Sequence, residues 1–154
     1  MRFNRRAQSR KSLVTTCLSA PRILTIYIPL VKFFTENVFD FVKEAKKNEE
    51  KFDIICSDPP AFCKSKKDER KAYEGYLKLH KNLFEILDEG SILVACSCTQ
   101  YISWESFQKN IEEAAISKNR KIQLLDCGVQ GFDHPTTNLT NKNTYLKYLA
   151  YRVE

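Results

Sequence analysis

The stretch Phe52-Asp-Ile-Ile-Cys-Ser-Asp-Pro-Pro-Ala-Phe62 constrains the fold of this chain more than any other. Ile54, Ile55 and Cys56 form a short apolar run, partly β-branched, which is the pattern of a strand covered on both faces. Asp58 stands where that strand must stop. Pro59 and Pro60 fix φ and remove two backbone donors, so no ladder continues through them. Phe62 then places an aromatic face on the loop. In open parallel sheets, ligands bind just beyond the carboxyl ends of the strands. A carboxylate, stiff carbonyls and an aromatic ring at that place suit a flat, polar-edged ring such as a nucleobase.

The surrounding segments alternate between helical and extended patterns. Val38 to Ala45 carries apolar residues at 38, 39, 41, 42 and 45, which is helical spacing, with Asn37 as its N-cap. Residues 64–71 read as a charged, mobile loop. A wide apolar stripe from Tyr73 to Leu87 predicts a helix over 70–88, with Gly90 as its stop signal. Ser91 to Cys96 is a second buried strand, ending in Ser97-Cys98-Thr99. A helix over 103–118 opens on Ser103, and Lys121 to Cys127 is a third strand. A long irregular connection, 128–144, contains Asp133-His134-Pro135. Thr144 to Val153 is an alternating last strand. The order β-α-β-α-β-loop-β predicts an α/β, mostly parallel, doubly wound sheet. No helix precedes the closing strand, so it is expected to run antiparallel to its neighbour.

The first 31 residues stand apart. Residues 1–35 hold seven basic side chains and no acid, whereas the rest holds 18 basic against 19 acidic. The sequence pI of about 9.0 therefore belongs to an amino-terminal arm, not to a basic surface on the body. Residues 1–20 are expected to be a disordered basic arm. Ile23 to Val31 is β-prone but interrupted by Pro29, and Val31 to Phe34 is a candidate short strand. No apolar run approaches the length of a membrane span. The six cysteines include no CxxC pair, and Cys96-Ser-Cys98 is too closely spaced for a zinc ribbon. Reduced thiols, a cytoplasmic setting, and no metal or membrane partner are the expectation.

With Asn37-Val-Phe39, Phe52-Asp-Ile-Ile55, Asp58-Pro-Pro-Ala-Phe62, Gly90-Ser-Ile-Leu93, Ser97-Cys98, Asp133-His-Pro135 and Tyr145-Leu-Lys147 in this order, residues 32–154 resemble the carboxyl-terminal half of the class I S-adenosylmethionine-dependent RNA methyltransferases. The likeness is greatest to the bacterial 23S rRNA cytosine-5 methyltransferase family. That resemblance implies a Rossmann-like methyltransferase sheet, S-adenosyl-L-methionine as cofactor and ribosomal RNA as partner. It places the nucleophile on Cys98 and the motif-loop acid on Asp58. It puts cofactor contacts at Asn37, Val38 and Asp58, and substrate contacts at Pro59, Pro60, Phe62 and Ser97. The family's glycine-rich cofactor loop has no counterpart in residues 1–36, because all four glycines lie at or beyond Gly75. The amino-terminal strands are accordingly expected to be missing or degenerate, with a second chain as a candidate supplier of them.

Two other readings stay open. One is an exocyclic-amine or guanine methyltransferase, in which an Asp-Pro-Pro-aromatic loop holds an amino group and no thiol is used. Ala61, between Pro60 and Phe62, departs from that form. The other is a non-catalytic remnant, or a partner-dependent half of a split enzyme. His134 is either a base or a loop anchor, and Lys64, Lys66, Lys67, Arg70 and Lys71 are candidate contacts for RNA phosphates.

Overall fold

A computed structural model describes residues 12–16, 35–63, 65–131, 134 and 145–154. The described residues build five strands, β1 (Ser12–Thr16), β2 (Phe52–Asp58), β3 (Leu87–Ser97), β4 (Ile122–Val129) and β5 (Lys147–Val153), and three α-helices, α1 (Val38–Lys47), α2 (Glu69–Ile86) and α3 (Trp104–Ser117). The strands join in one sheet in the order β1-β2-β3-β5-β4. β1, β2 and β3 are mutually parallel, and β5 pairs antiparallel with both β3 and β4. Four strands therefore share one direction and β5 opposes them, as the absence of a helix before it requires.

The helices begin where their caps dictate. Asn37 Oδ1 accepts from the Phe39 amide at 2.9 Å, and Ser103 Oγ accepts from the Ser106 amide at 3.1 Å. α2 departs from expectation at both ends. Residues 66–68 form a 3-10 turn and α2 starts at Glu69, so the charged stretch 64–71 is not simply a loop. Ser65 Oγ donates to Asp68 Oδ2 at 2.6 Å and closes that turn. At the other end α2 stops at Ile86, and Leu87 already has extended backbone. Gly90, at φ +78, is not the helix stop but lies inside a register irregularity of β3, where Phe52 faces Leu87 and Ile54 faces Ile92. The left-handed φ is what glycine supplies there.

One face of the sheet is closed. α1 packs on α2 and α2 on α3, and beneath them lie Ile55, Leu93, Ala95, Leu149, Tyr151 and Val153, all at most 2% exposed. The opposite face carries Ile54, Cys56, Val94, Cys96, Tyr148 and Ala150, which are half-buried or exposed. A doubly wound sheet has helices on both faces; the described helices cover one. Cys56 and Cys96, expected inside a strand buried on both sides, are for that reason only half-buried.

The basic arm also contains structure. Ser12–Thr16 runs beside β2, with Thr16 level with Asp58. Val14, Thr15 and Thr16 are β-branched, which suits a pleated edge. The candidate strand at 31–34 and the β-prone segment 23–31 lie outside the described residues.

Candidate active site

Two chain turns meet at the carboxyl ends of β2 and β3. The first leaves β2 at Asp58 and runs through Pro59, Pro60 and Phe62 to Cys63. The second leaves β3 at Ser97 and carries Cys98 and Thr99. Ser57 is registered against Ala95. Asp58 thus comes level with Cys96, and Cys98 lies two residues, roughly 6.6 Å, further along the strand direction. Asp58 is exposed and Cys98 half-buried, so solvent reaches both functional groups.

Four hydrogen bonds fix the Cys98 turn. Tyr76 on α2 and Ser97 share a buried bond between their hydroxyls at 3.0 Å. Thr99 Oγ1 donates to the Cys63 carbonyl at 3.0 Å and accepts from the Tyr101 amide at 3.2 Å. From β5, Lys147 Nζ donates to the Thr99 carbonyl at 2.7 Å. Every anchoring residue is nearly or fully buried, with Tyr76 and Ser97 at 0%, Thr99 at 2% and Lys147 at 3% exposure. A half-buried thiol on a turn held this firmly is preorganised, which is what a nucleophile needs.

Electrostatics ties the same groups together. Burial pushes the Tyr76 phenol up to about 12, and the nearby Cys98 and Asp58 add to that shift. Tyr76 is therefore a neutral partner of Ser97 at physiological pH. Burial pulls the Lys147 ammonium down, while Cys98 pulls it up. Cys56 on β2 is registered against Val94, so Cys96 lies diagonally across from it on β3. The hydrogen bond from Cys96 lowers the Cys56 thiol to about 7, and the same bond, with burial, pushes Cys96 up. The pair releases its first proton readily and its second with difficulty.

The expected contact residues fall into two groups. Asp58, Pro59, Pro60 and Cys98 are exposed or half-buried at the carboxyl ends of β2 and β3. Asn37 is exposed at the α1 amino terminus, with one carbonyl lone pair taken by Phe39 and its amide nitrogen and second lone pair left over. Val38 is half-buried against the core. Phe62 packs edge-on against Tyr76, with ring centroids 4.7 Å apart, and lies over Gly75. Its ring is thus a wall of the core as well as an edge of the loop. Ser97, expected to touch substrate, is enclosed, and its hydroxyl is taken by Tyr76. Its side chain supports the turn from the helix side. His134 is exposed, and its amide donates to the Gly131 carbonyl in a turn. Asp133, Pro135 and Lys64 lie outside the described residues. Among the described residues, no group of three or more His, Cys, Asp or Glu side chains is placed to hold a metal ion. No described helix is long and apolar enough to cross a membrane.

Tyr76, Thr99 and Lys147 escaped the sequence reading as site residues. For Lys147 a signal was present. Lys147, Leu149, Tyr151 and Val153 share one parity in an alternating strand, and a lysine in the apolar set marks a buried cation.

No protein-family model matches the chain. Curated relatives named Ribosomal RNA large subunit methyltransferase I do, among them proteins of Escherichia coli O1:K1 / APEC and Shigella boydii serotype 18. Each is 34% identical over 122 residues, covering 79% of this chain and 31% of the relative. The chain thus spans about a third of the length of the curated relatives it matches. Two solved structures match with TM-scores of 0.62 and 0.63 at 27% identity. One is named as a methyltransferase complexed with SAH, the other as a SAM-dependent methyltransferase from Streptococcus mutans. Each match covers 76% of this chain, and 30% and 29% of the other chains. The fold is that of the class I S-adenosylmethionine-dependent methyltransferases. Within such a methyltransferase sheet, Asp58 and Cys98 lie at the carboxyl ends of two parallel strands, where open α/β sheets bind their ligands.

Proposed function

We propose that this chain is the substrate-facing part of an S-adenosylmethionine-dependent ribosomal RNA methyltransferase, and that it forms 5-methylcytosine in 23S rRNA with Cys98 as nucleophile. The observation that carries the reading is the placement of a half-buried cysteine and an exposed aspartate on adjacent parallel strand ends. The names of the rRNA methyltransferase relatives supply the substrate class.

The chemistry suits these side chains. Cytosine C5 is a weak nucleophile. Addition of the Cys98 thiolate to C6 breaks the 5,6 double bond and moves its electron pair toward C5. Asp58 hydrogen-bonds the N3 edge of the ring as charge develops there. The bound cofactor supplies an electrophilic sulfonium methyl for C5. A base then takes the C5 proton, the 5,6 double bond re-forms, and Cys98 departs as thiolate, ready for another cycle. Pro59 and Pro60 stiffen the loop that presents Asp58, so little conformational entropy is lost when the ring docks. Extrusion of the target base from its stack is the common requirement of such reactions.

The residues present fit one end of the cofactor. Asn37 retains hydrogen-bonding capacity for an adenine edge, beside Val38. A glycine-rich cradle for the methionine end is not found among residues 1–36, which hold no glycine. The sheet face that no described helix covers, with Ile54 at 44% exposure, favours a second reading in which the chain works together with further polypeptide that supplies this cradle.

Transfer of labelled methyl from S-adenosylmethionine to 23S rRNA fragments tests the proposal. Label is expected in 5-methylcytosine, and the Cys98→Ala variant is expected to lose at least ~1,000-fold, as removal of a covalent nucleophile does. Label in an exocyclic amine, with Cys98→Ala fully active, would favour the amine-methylating reading instead. If transfer appears only after a chain carrying the glycine-rich half is added, the second reading holds.

A further inference from the structure

Lys147 occupies a place where an apolar residue would be expected. It shares the buried face of β5 with Leu149, Tyr151 and Val153, which are 1%, 2% and 0% exposed, and it is itself 3% exposed. Removing an ammonium from water carries a large desolvation cost unless partners compensate. Its hydrogen-bond acceptors are two backbone carbonyls, Thr99 at 2.7 Å and Tyr145 at 3.4 Å. These carbonyls take at most two of the three ammonium donors, and among the described residues no carboxylate is paired with the charge. Thr99 directly follows Cys98, so the cation lies one peptide away from the sulfur-bearing residue and within its electrostatic reach.

We propose that Lys147 is a positioning residue for Cys98: it pins the 97–99 turn through the Thr99 carbonyl and brings its ammonium to that same turn, where a cation aids attack by the sulfur. The other groups that face Cys98 do not replace this role. Tyr76 from α2 is neutral, Cys96 on β3 is held protonated by burial and its Cys56 partner, and Asp58 from β2 opposes a second negative charge. Lys147 is the cation in this set. The inference rests on the reading of Cys98 as nucleophile, yet it concerns thiol reactivity, which is measurable without methyl transfer.

The test follows alkylation of Cys98 in the full chain by peptide mass spectrometry at pH 7.5, with exposed Cys127 on β4 as internal reference. Three variants separate charge from hydrogen bonding: Lys147→Met removes both, Lys147→Gln keeps a donor, and Lys147→Arg keeps donor and charge. The expected result is a roughly 5-fold or greater slowing at Cys98 in the Met and Gln variants, near-parent rates in the Arg variant, and no change at Cys127. A folded Gln or Met variant that alkylates Cys98 at the parent rate overturns the proposal. Should neither neutral variant fold, the parent chain decides. A cation beside Cys98 makes the iodoacetate-to-iodoacetamide rate ratio higher there than at Cys127; an equal or lower ratio contradicts it. Slowed alkylation in the Met and Gln variants together with full methyl transfer by Cys98→Ala would uphold the proposal and count against the nucleophile reading alone.

Discussion

Thr99 Oγ1 donates to the Cys63 carbonyl at 3.0 Å, and this bond joins the turn carrying Cys98 to the loop that follows Asp58. Thr99→Val keeps the shape but strands the Cys63 carbonyl and the Tyr101 amide. The expected cost is about 1–2 kcal/mol, the range for leaving buried polar groups unpaired. Urea unfolding measures it. An unchanged midpoint would mean that the two loops are held together by something else.

His80 makes stability depend on pH. It is buried at 1% exposure between Tyr76 and Phe107. Asn110 donates from Nδ2 to the Tyr73 carbonyl, which turns its Oδ1 toward His80 at 2.9 Å. The neutral ring therefore carries its proton on Nδ1. Burial lowers the folded pKa to about 4, from an ordinary value of 6.5, with Asn110 opposing that shift. Between these values the unfolded chain binds a proton that the folded chain refuses. Stability is thus complete above pH 6.5 and declines as pH falls toward 4, by about 3 kcal/mol. Urea midpoints at pH 7 and pH 4.5 are expected to show most of this loss, and His80→Gln should flatten that part of the profile. A parent profile that is flat over the window would refute the buried neutral ring.

Gly128 allows β4 and β5 to close. A Cβ added there would come within 2.5–2.9 Å of the Tyr148 ring and hydroxyl. Tyr148 would have to swing aside and release its 2.9 Å bond to Asp126. Gly128→Ala is expected to destabilise by about 1 kcal/mol, because only one exposed bond and one ring position are disturbed. The pair Gly128→Ala with Tyr148→Ala should cost no more than Tyr148→Ala alone, since the clash is then gone. Additive losses would contradict the steric account.

Glu85 joins three elements. Its carboxylate pairs with Lys46 of α1 and with Lys118 just past α3. Burial alone would raise its pKa, yet the two lysines outweigh burial and hold it below the usual carboxylate range. Such a partly exposed network is worth at most about 1 kcal/mol, and salt screens it. Glu85→Gln is expected to lose that amount at low salt and less at 1 M salt, read from thermal or urea midpoints. A loss that grows with salt would exclude the electrostatic explanation.

Much of this fold was legible from local chemistry. Asn37 and Ser103 marked helix starts because their side chains cap there, and apolar spacing gave α1 and α2 to within a few residues. Pro59 and Pro60 ended β2 where they had to. What stayed hidden depends on tertiary context. Ser12–Thr16 lies in an arginine-rich stretch and becomes a strand beside Ile54 to Asp58 through pairing, not through any apolar run. The insertion of β5 between β3 and β4 was likewise unreadable, since alternation gives orientation but not neighbours. At the site, Asp58 was singled out by its place at a strand end before two prolines, and Cys98 by the resemblance to the methyltransferase family. The supports from Tyr76, Thr99 and Lys147 span 21 to 48 residues of sequence and appear only once the chain is folded. Ser97 shows the converse: beside Cys98 in sequence, it faces the helix layer, where Tyr76 takes its hydroxyl.

The central claim is that Cys98 becomes covalently joined to a cytosine in RNA during methyl transfer. Replacing cytosine by 5-fluorocytosine in a 23S rRNA fragment tests it directly, because fluorine at C5 cannot leave as a proton does, and the adduct persists. In a preparation that transfers methyl to ordinary RNA, the chain should form an RNA adduct that survives denaturation and maps to the peptide containing Cys98, and Cys98→Ala should form none. Methyl transfer without any adduct, or an adduct on another cysteine, would contradict the account.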